Sequence, residues 1–160
     1  MLTDILRPAP VSSVDGVLSI MTAIDERLPD SDGLKWFNRL YLQVTRSVRQ
    51  AVAGPAFHDA RFMSELDVVF ANQYFAAIAA GEIDVSRAPS AWRPLLRCRT
   101  QRGIARLQFA LAGMNAHMQM KNRNAGSIAS GPATTPATTA SRSLERCRVT
   151  GKITTAPMML

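Results

Sequence analysis

Two polar residues near the end of a long apolar segment are the first that could do chemistry. His117 can act as an acid or a base near neutral pH, and Asn115 lies two positions before it. On a helix these side chains point about 200° apart, so they do not form a unit by themselves. Gln108 lies seven residues before Asn115 and therefore shares its face. We expect Gln108 and Asn115 to form a polar line, either as hydrogen bonds between helices or as part of a ligand site.

Asp67 lies on a predicted helix in the middle of the chain. If that helix neighbours the one that carries His117, the two residues would form an acid–base dyad. The dyad would suit a hydrolytic or proton-transfer reaction, with His117 and Asp67 catalytic and with Asn115 and Gln108 orienting the substrate. A solvated Asp67 is the alternative interpretation.

Three more residues are candidates for binding a substrate. Asn38 and Tyr41 lie three positions apart on an earlier predicted helix, and Asn72 flanks the apolar stripe of the helix that carries Asp67. We expect Tyr41 to lie in the core with its hydroxyl at the rim.

Motifs of several enzyme and metal-binding classes are absent. The sequence contains no GxxxxGKS/T or GxGxxG loop, no HExxH or Glu-x-x-His pair, and no GxSxG elbow. Two histidines and two distant cysteines cannot supply a standard structural zinc site. We therefore expect neither a metal nor a cofactor.

The elements that must position the candidate residues are helices. Apolar residues three and four apart predict helices near residues 13–28, from 32 to about 53, near 59–80 and near 102–119. A short helical or irregular piece follows Pro89. The last helix is apolar nearly all round, which predicts burial. The second and third helices carry apolar stripes that we expect in the core: Phe37, Leu40, Tyr41, Val44, Val48 and Val52, then Phe62, Leu66, Val69, Phe70, Phe75 and Ile78.

Short-range signals predict the helix ends. Ser12 or Ser13, Asp32 and Asp59 have side chains that cap helix N-termini. Gly81 is expected to close the third helix. No window alternates apolar and polar residues as an exposed strand would. We therefore predict an all-α fold, a bundle of four to five helices within residues 1–120.

Charge and aromatic content change along the chain. Residues 1–117 hold 13 Lys and Arg against 11 Asp and Glu, whereas residues 118–160 hold 6 against 1. All ten aromatic residues lie between Trp36 and Phe109. The segment 121–160, which is rich in Thr, Ala, Ser, Gly and Pro, cannot bury enough apolar area to offset its chain entropy. We predict a low-complexity, disordered tail.

Four segments resemble an uncharacterised, mainly actinobacterial protein family known only as a domain of unknown function. They are DGLKWFNRLYLQVTRSV, FMSELDVVFANQYFAAI, PSAWRPLL and IARLQFALAGMNAHM. The resemblance spans roughly residues 14–118 and implies a helical fold, with no established reaction. The family continues past the histidine with further helices, whereas here MQMKNRNAGS follows His117. The resemblance therefore implies a divergent or truncated C-terminus.

These patterns favour a helical binding or interaction module, whose partner would be another protein, a second copy of the chain or a small ligand. Asp4 and Pro8 stand where a signal peptide needs a basic start and an apolar core, so we expect a cytoplasmic protein. No apolar run reaches the 18–20 or so residues that cross a bilayer. The first alternative is the His117 enzyme. The second is non-specific nucleic-acid binding by the basic tail, which is disfavoured because no aromatic residue is interleaved there.

Overall fold

A computed structural model of the chain describes residues 1–54 and 59–125, with side chains through Gln119. This part of the chain is helical and contains no strand, which confirms the predicted all-α class. Its elements are α1 (Thr3–Leu6), α2 (Val14–Arg27), α3 (Gly33–Val52), α4 (Ala60–Ile83), a 3-10 turn (Val85–Arg87), α5 (Arg93–Cys98) and α6 (Arg106–Ala125). The described residues form six α-helices, whereas we expect four or five. The count is larger because it includes two very short helices, α1 and α5.

Helices α2, α3 and α4 begin at the predicted capping residues. The side chains of Ser13, Asp32 and Asp59 each accept a hydrogen bond from a backbone N–H in the first turn, at 3.1, 2.9 and 2.8 Å. These bonds satisfy amides that have no partner within the helix. Local side-chain chemistry therefore sets where these three helices begin.

Helix α3 contacts α2, α4 and α6 and forms the centre of the bundle. The Asp15–Arg49 and Asp25–Arg39 ion pairs, each at 2.9 Å, show that α2 runs antiparallel to α3. The largest buried side chains, which include Phe37, lie in the core around α3.

Helix α6 runs parallel to α3 and approaches it closely. Gly33 of α3 faces the ring of Phe109, and Gly113 of α6 faces the ring of Phe37. A Cβ atom on either glycine would overlap the facing ring. The two glycines therefore set the spacing and the register that carry His117 to the level of Tyr41.

The prediction that Gly81 ends the third helix is wrong. Helix α4 continues through Gly81 to Ile83. Leu96 of α5 packs directly on Gly81, where a Cβ atom would clash with the leucine side chain. The glycine is therefore a contact site between helices rather than a terminator.

The start of the last helix also differs from the prediction. Helix α6 begins at Arg106, not near 102, because Gly103 turns the chain with a φ of +86°. The side-chain carbonyl of Gln108 accepts a hydrogen bond from the Ala105 amide at 2.9 Å. Gln108 thus caps the N-terminus of its own helix.

The expected burial of several apolar side chains is wrong. Leu107, Leu111 and Met118 of α6 are 67%, 44% and 50% exposed. The bundle covers one side of this helix only, so an apolar circumference does not make it a central helix. The apolar stripes of α3 and α4 are likewise wider than the surfaces that the neighbouring helices cover. The exposed members of these stripes are Leu40, Val44, Phe62 and Val69.

Arg99 joins the N-terminus of α3 to the C-terminal half of α4. Its guanidinium donates to Asp32 at 2.9 Å and to Glu82 at 2.7 Å. The other oxygen of Glu82 accepts from the backbone amide of Leu2 at 3.1 Å. Through these bonds the unpredicted helix α1, whose Leu6 lies in the core, is held to the bundle.

Within the described ranges, none of the helices combines the length and the hydropathy that a membrane span requires. Helix α6 extends to Ala125, five residues beyond the predicted end of the bundle domain. The rest of the predicted tail, residues 126–160, lies outside the described residues, as do four residues between α3 and α4.

Candidate functional site

Four buried polar residues from three helices meet on one side of α3. They are Tyr41 and Thr45 of α3, Asp67 of α4 and His117 of α6, and they are 5%, 0%, 8% and 7% exposed. We refer to these four residues as the buried polar cluster. Tyr41 and Thr45 lie one helical turn apart, so both face the same neighbours.

Aromatic rings surround His117. Its ring centroid lies 4.7 Å from that of Tyr41, 5.9 Å from that of Phe70 and 6.0 Å from that of Phe37. The Phe70 ring meets the imidazole edge-on, at 83°. Asp67 lies near Tyr41 and Thr45, since its charge acts on the Tyr41 hydroxyl and the Thr45 hydroxyl acts on its carboxyl.

Each member of the buried polar cluster has a buried polar atom without a hydrogen bond. These atoms are the Tyr41 hydroxyl, Thr45 Oγ1, Asp67 Oδ2 and His117 Nδ1, none of which makes a hydrogen bond of ordinary geometry among the described residues. The Thr45 hydroxyl nevertheless lies close enough to the Asp67 carboxyl to lower its pKa by weak hydrogen bonding. A buried polar group without a partner costs about 1–3 kcal/mol of stability. Native proteins contain few such groups, so four in one place call for an explanation.

Burial sets the ionisation of the cluster. It lowers the pKa of the His117 imidazole to about 4 and raises the pKa of the Asp67 carboxyl, an effect that the nearby Thr45 hydroxyl partly offsets. Burial, together with the charge of Asp67, also raises the pKa of the Tyr41 hydroxyl. Near neutral pH the Tyr41 and His117 side chains are therefore uncharged, and Asp67 is the one group of the four that can carry a charge.

The structure brings Asp67 and His117 to the same cluster, but no hydrogen bond joins them. The His117 ring packs against the Tyr41 ring, and the charge of Asp67 raises the pKa of the Tyr41 hydroxyl. The arrangement offers two hydroxyl donors, a carboxyl and an imidazole to one small polar group. It does not supply the direct contact that an Asp–His dyad needs.

Asn38 lies next to the cluster with its amide fully engaged. Its Nδ2 donates to the Met21 carbonyl at 2.9 Å, and its Oδ1 accepts from the Tyr74 hydroxyl at 3.2 Å. The side chain is completely buried. These contacts connect α2, α3 and α4, so Asn38 serves to join three helices.

Asn72 and Gln108 also bond to backbone, away from the cluster. The Asn72 amide makes two hydrogen bonds with the backbone of Val11, at 2.9 and 2.8 Å, and so holds the segment before α2. Gln108 caps α6. Asn115 is half-buried and points about 200° around α6 from His117. Of the predicted binding residues, Tyr41 alone joins Asp67 and His117.

Thr45 and Phe70 are the residues that the sequence reasoning did not select for the site. Thr45 follows Tyr41 by four positions and Phe70 follows Asp67 by three, so helical spacing places each beside a selected residue. That signal identifies them only once the neighbouring helix is known.

Two open grooves lie elsewhere on the surface. One, of about 710 Å³, runs between α2 and α3, and the other, of about 620 Å³, lies where α2, α3 and α4 meet. The exposed ion pair of Asp15 and Arg49 borders both grooves. Neither groove reaches the buried polar cluster. No group of three or more His, Cys, Asp or Glu side chains that could hold a metal ion occurs within the described ranges.

Comparison with known proteins identifies the family. No curated protein and no solved structure matches this chain. The sequence model of a family described as a family of unknown function (DUF5995) matches residues 14–120, about two thirds of the chain. The matched range contains the whole buried polar cluster and agrees with the span of the predicted resemblance. The chain therefore belongs to this family of unknown function, DUF5995.

Proposed function

We propose that this domain is a helical binding module that holds a small polar ligand between α3, α4 and α6, at the buried polar cluster. The observation that carries the proposal is the set of four buried polar atoms without hydrogen-bond partners among the described residues. They lie on three different helices, and the rings of two of their residues, Tyr41 and His117, pack with centroids 4.7 Å apart. A ligand that bonded to them would offset a cost that the fold otherwise bears.

Binding has better support than acid–base catalysis by His117. A histidine with a pKa of about 4 has no proton to donate as an imidazolium near neutral pH. It also lacks the hydrogen bond to Asp67 that would orient the ring and strengthen it as a base. The hydrolytic or proton-transfer enzyme stays the alternative proposal.

The test is a search for ligands with the full chain. Ligand-observed NMR would screen mixtures of small neutral, cationic and anionic polar molecules against the wild type and against the double variant Tyr41→Phe, Thr45→Val. We expect binding to the wild type and none to the double variant. Tyr74→Phe, which removes a neighbouring hydroxyl that is already hydrogen-bonded, is the matched control and should still bind.

Two results would contradict the proposal. Binding that survives the double variant would place the ligand outside the cluster, for example in a groove. If no mixture component binds the wild type, the cluster is not a ligand site. Circular dichroism of each variant would establish that it is folded.

A second proposal, self-association, rests on the exposed apolar face of α6, which we define as Leu107, Leu111 and Met118. Between Arg106 and Gln119 the helix carries no Asp, Glu, Lys or Arg. Two copies could therefore meet along this face without charge repulsion. Sedimentation velocity should show a wild-type dimer and a monomeric Leu111→Glu variant, with Val69→Glu on α4 as the control. A wild type that stays monomeric at every concentration would contradict it.

The remaining expectations stay predictions. They are a cytoplasmic location, an actinobacterial origin and non-specific nucleic-acid binding by the basic tail, most of which lies outside the described residues. Fractionation of cells that express the tagged full chain would test the location. Titration with duplex DNA at two salt concentrations would test the tail, since phosphate-driven binding weakens steeply with salt.

A further inference from the structure

We propose that the ligand of the buried polar cluster is a small organic cation of the alkylammonium type, bound by the Asp67 carboxylate and by the faces of the neighbouring aromatic rings. This inference rests on the proposed binding function. It is drawn from the charge balance and the ring geometry around Asp67.

Asp67 differs from two other carboxylates that are buried or partly buried. Asp32 and Glu82 both pair with Arg99, at 2.9 and 2.7 Å. Asp67 is equally buried but forms no ion pair with any described Lys or Arg. An isolated buried carboxylate is unfavourable unless a cation balances it. The raised pKa of Asp67, caused by burial and not countered by any basic side chain, agrees with this picture.

Two of the basic side chains described on α3, Lys35 and Arg49, are directed elsewhere. On α3, Lys35 donates to the Leu28 carbonyl and pairs with Asp30, and Arg49 pairs with Asp15. His117 is uncharged above a pKa of about 4. A ligand entering the cluster would therefore meet one carboxyl and no positive charge from these groups, which favours a cation and disfavours an anion.

The rings supply the second half of a cation site. Tyr41 and Phe70 flank the His117 imidazole, at centroid distances of 4.7 and 5.9 Å. Phe70 lies three residues after Asp67 on α4, so its ring and the carboxyl are neighbours on one face. Aromatic faces attract organic cations through the ring quadrupole, most strongly where water is excluded. A carboxylate beside such rings is the combination that binds ammonium groups.

A metal ion fits these donors less well. The cluster offers one carboxyl and one imidazole, and the described ranges contain no group of three or more of the side chains that usually ligate metals. Hard divalent cations require several oxygen ligands. An organic cation needs one carboxylate and neighbouring aromatic rings, and the Asp67 carboxyl and the Phe70 ring, three residues apart on α4, are such a pair.

The test compares three molecules of nearly the same shape and different charge. Choline, its uncharged isostere 3,3-dimethylbutan-1-ol and the anion 3,3-dimethylbutanoate would be titrated into the full chain, with binding followed by NMR shifts of its amides. We expect choline to bind roughly tenfold or more tightly than the isostere, and the anion not to bind. Choline binding should strengthen as the pH rises, because Asp67 then ionises.

Variants locate the effect. Asp67→Asn should remove the preference for choline over the uncharged isostere, and Phe70→Leu should weaken choline binding several-fold with less effect on the isostere. Glu65→Gln, an exposed carboxylate two residues before Asp67, is the control and should change neither affinity. Circular dichroism would check that each variant is folded.

The outcomes separate this inference from the proposed function. If the isostere or the anion binds as tightly as choline and the Tyr41→Phe, Thr45→Val variant abolishes that binding, the ligand site stands and the cation assignment is overturned. If none of the three molecules binds, the cation assignment is also overturned, and the mixture screen decides the proposed function by itself. A choline preference that Asp67→Asn leaves intact would overturn the role of Asp67.

Discussion

The rings of Tyr41 and His117 pack with their centroids 4.7 Å apart, yet neither the tyrosine hydroxyl nor His117 Nδ1 has a hydrogen-bond partner among the described residues. Both side chains are more than nine-tenths buried. Tyr74, also in the core, differs in that its hydroxyl donates to Asn38 at 3.2 Å. The two tyrosines therefore allow the effect of a missing partner to be measured within one protein.

Replacing each tyrosine by phenylalanine should change stability in opposite directions. Tyr41→Phe removes a hydroxyl that has no partner, so we expect the free energy of unfolding to rise by about 1 kcal/mol. Tyr74→Phe removes a hydrogen bond and leaves Asn38 Oδ1 unsatisfied, so we expect a loss of about 1–3 kcal/mol. Urea unfolding at neutral pH measures both. If Tyr41→Phe destabilises as much as Tyr74→Phe, the Tyr41 hydroxyl has a partner that stabilises the fold.

Acid should destabilise the protein partly through His117. Its pKa in the folded state is about 4, below its ordinary value of 6.5, so the unfolded state binds more protons between these two values. The contribution of uncharged His117 to the free energy of unfolding is present in full above about pH 6.5. It is lost as the pH falls to about 4, and the loss is at most about 3 kcal/mol.

The His117 contribution is measured as a difference between two proteins. Urea unfolding of the wild type and of His117→Asn at several pH values between about 4 and 7.5 would give it, with a shallower pH dependence expected for the variant. Asp67 and Tyr41, the titratable groups that share the cluster, are the same in both proteins. Parallel losses of stability would show that His117 does not titrate in this way.

The close approach of α3 and α6 should tolerate no side chain at Gly113. Gly113→Ala places a methyl group against the Phe37 ring, so we expect a loss of about 1–3 kcal/mol from overpacking. Gly54→Ala is the matched control, because its Cβ would lie 3.8 Å from the Ala51 carbonyl oxygen, in ordinary contact. Thermal unfolding of both variants measures the difference. Equal melting temperatures would mean that the two helices are further apart than described.

Asn72 should hold the segment before α2 in place. Asn72→Ala removes both hydrogen bonds to Val11, so we expect a loss of about 1–3 kcal/mol and faster hydrogen exchange at the Val11 amide. Gln43→Ala, at an exposed position of α3, is the control. Unchanged exchange at Val11 in the Asn72 variant would contradict the contact.

Arg99 should matter far more than an exposed arginine. Arg99→Leu leaves the Asp32 and Glu82 carboxylates without their cation, so we expect a loss of about 3–5 kcal/mol. Arg39→Leu, which breaks exposed ion pairs with Asp25 and Asp30, should cost no more than about 1 kcal/mol. Urea unfolding of the two variants gives the comparison, and similar losses would contradict the distinction.

Features set by neighbours in the chain were predictable. The caps at Ser13, Asp32 and Asp59 were identified correctly, since each depends on one side chain and the next few amides. Gly81 shows the limit of that reasoning, because a glycine is expected both at a helix end and where two helices pack closely. Local rules cannot tell whether Leu96 will pack there.

The helical class and the starts of α2, α3 and α4 needed only short-range pattern, because capping and apolar periodicity act within a few residues. Which sides of the helices face inward required the packed bundle, as exposed Leu111 and buried Tyr41 show. The meeting of Asp67 and His117 depends on α6 lying parallel to α3, a register set by glycines and rings far apart in the chain. Such contacts come from side chains fitting one another in space, and spacing along one helix carries no information about its neighbour.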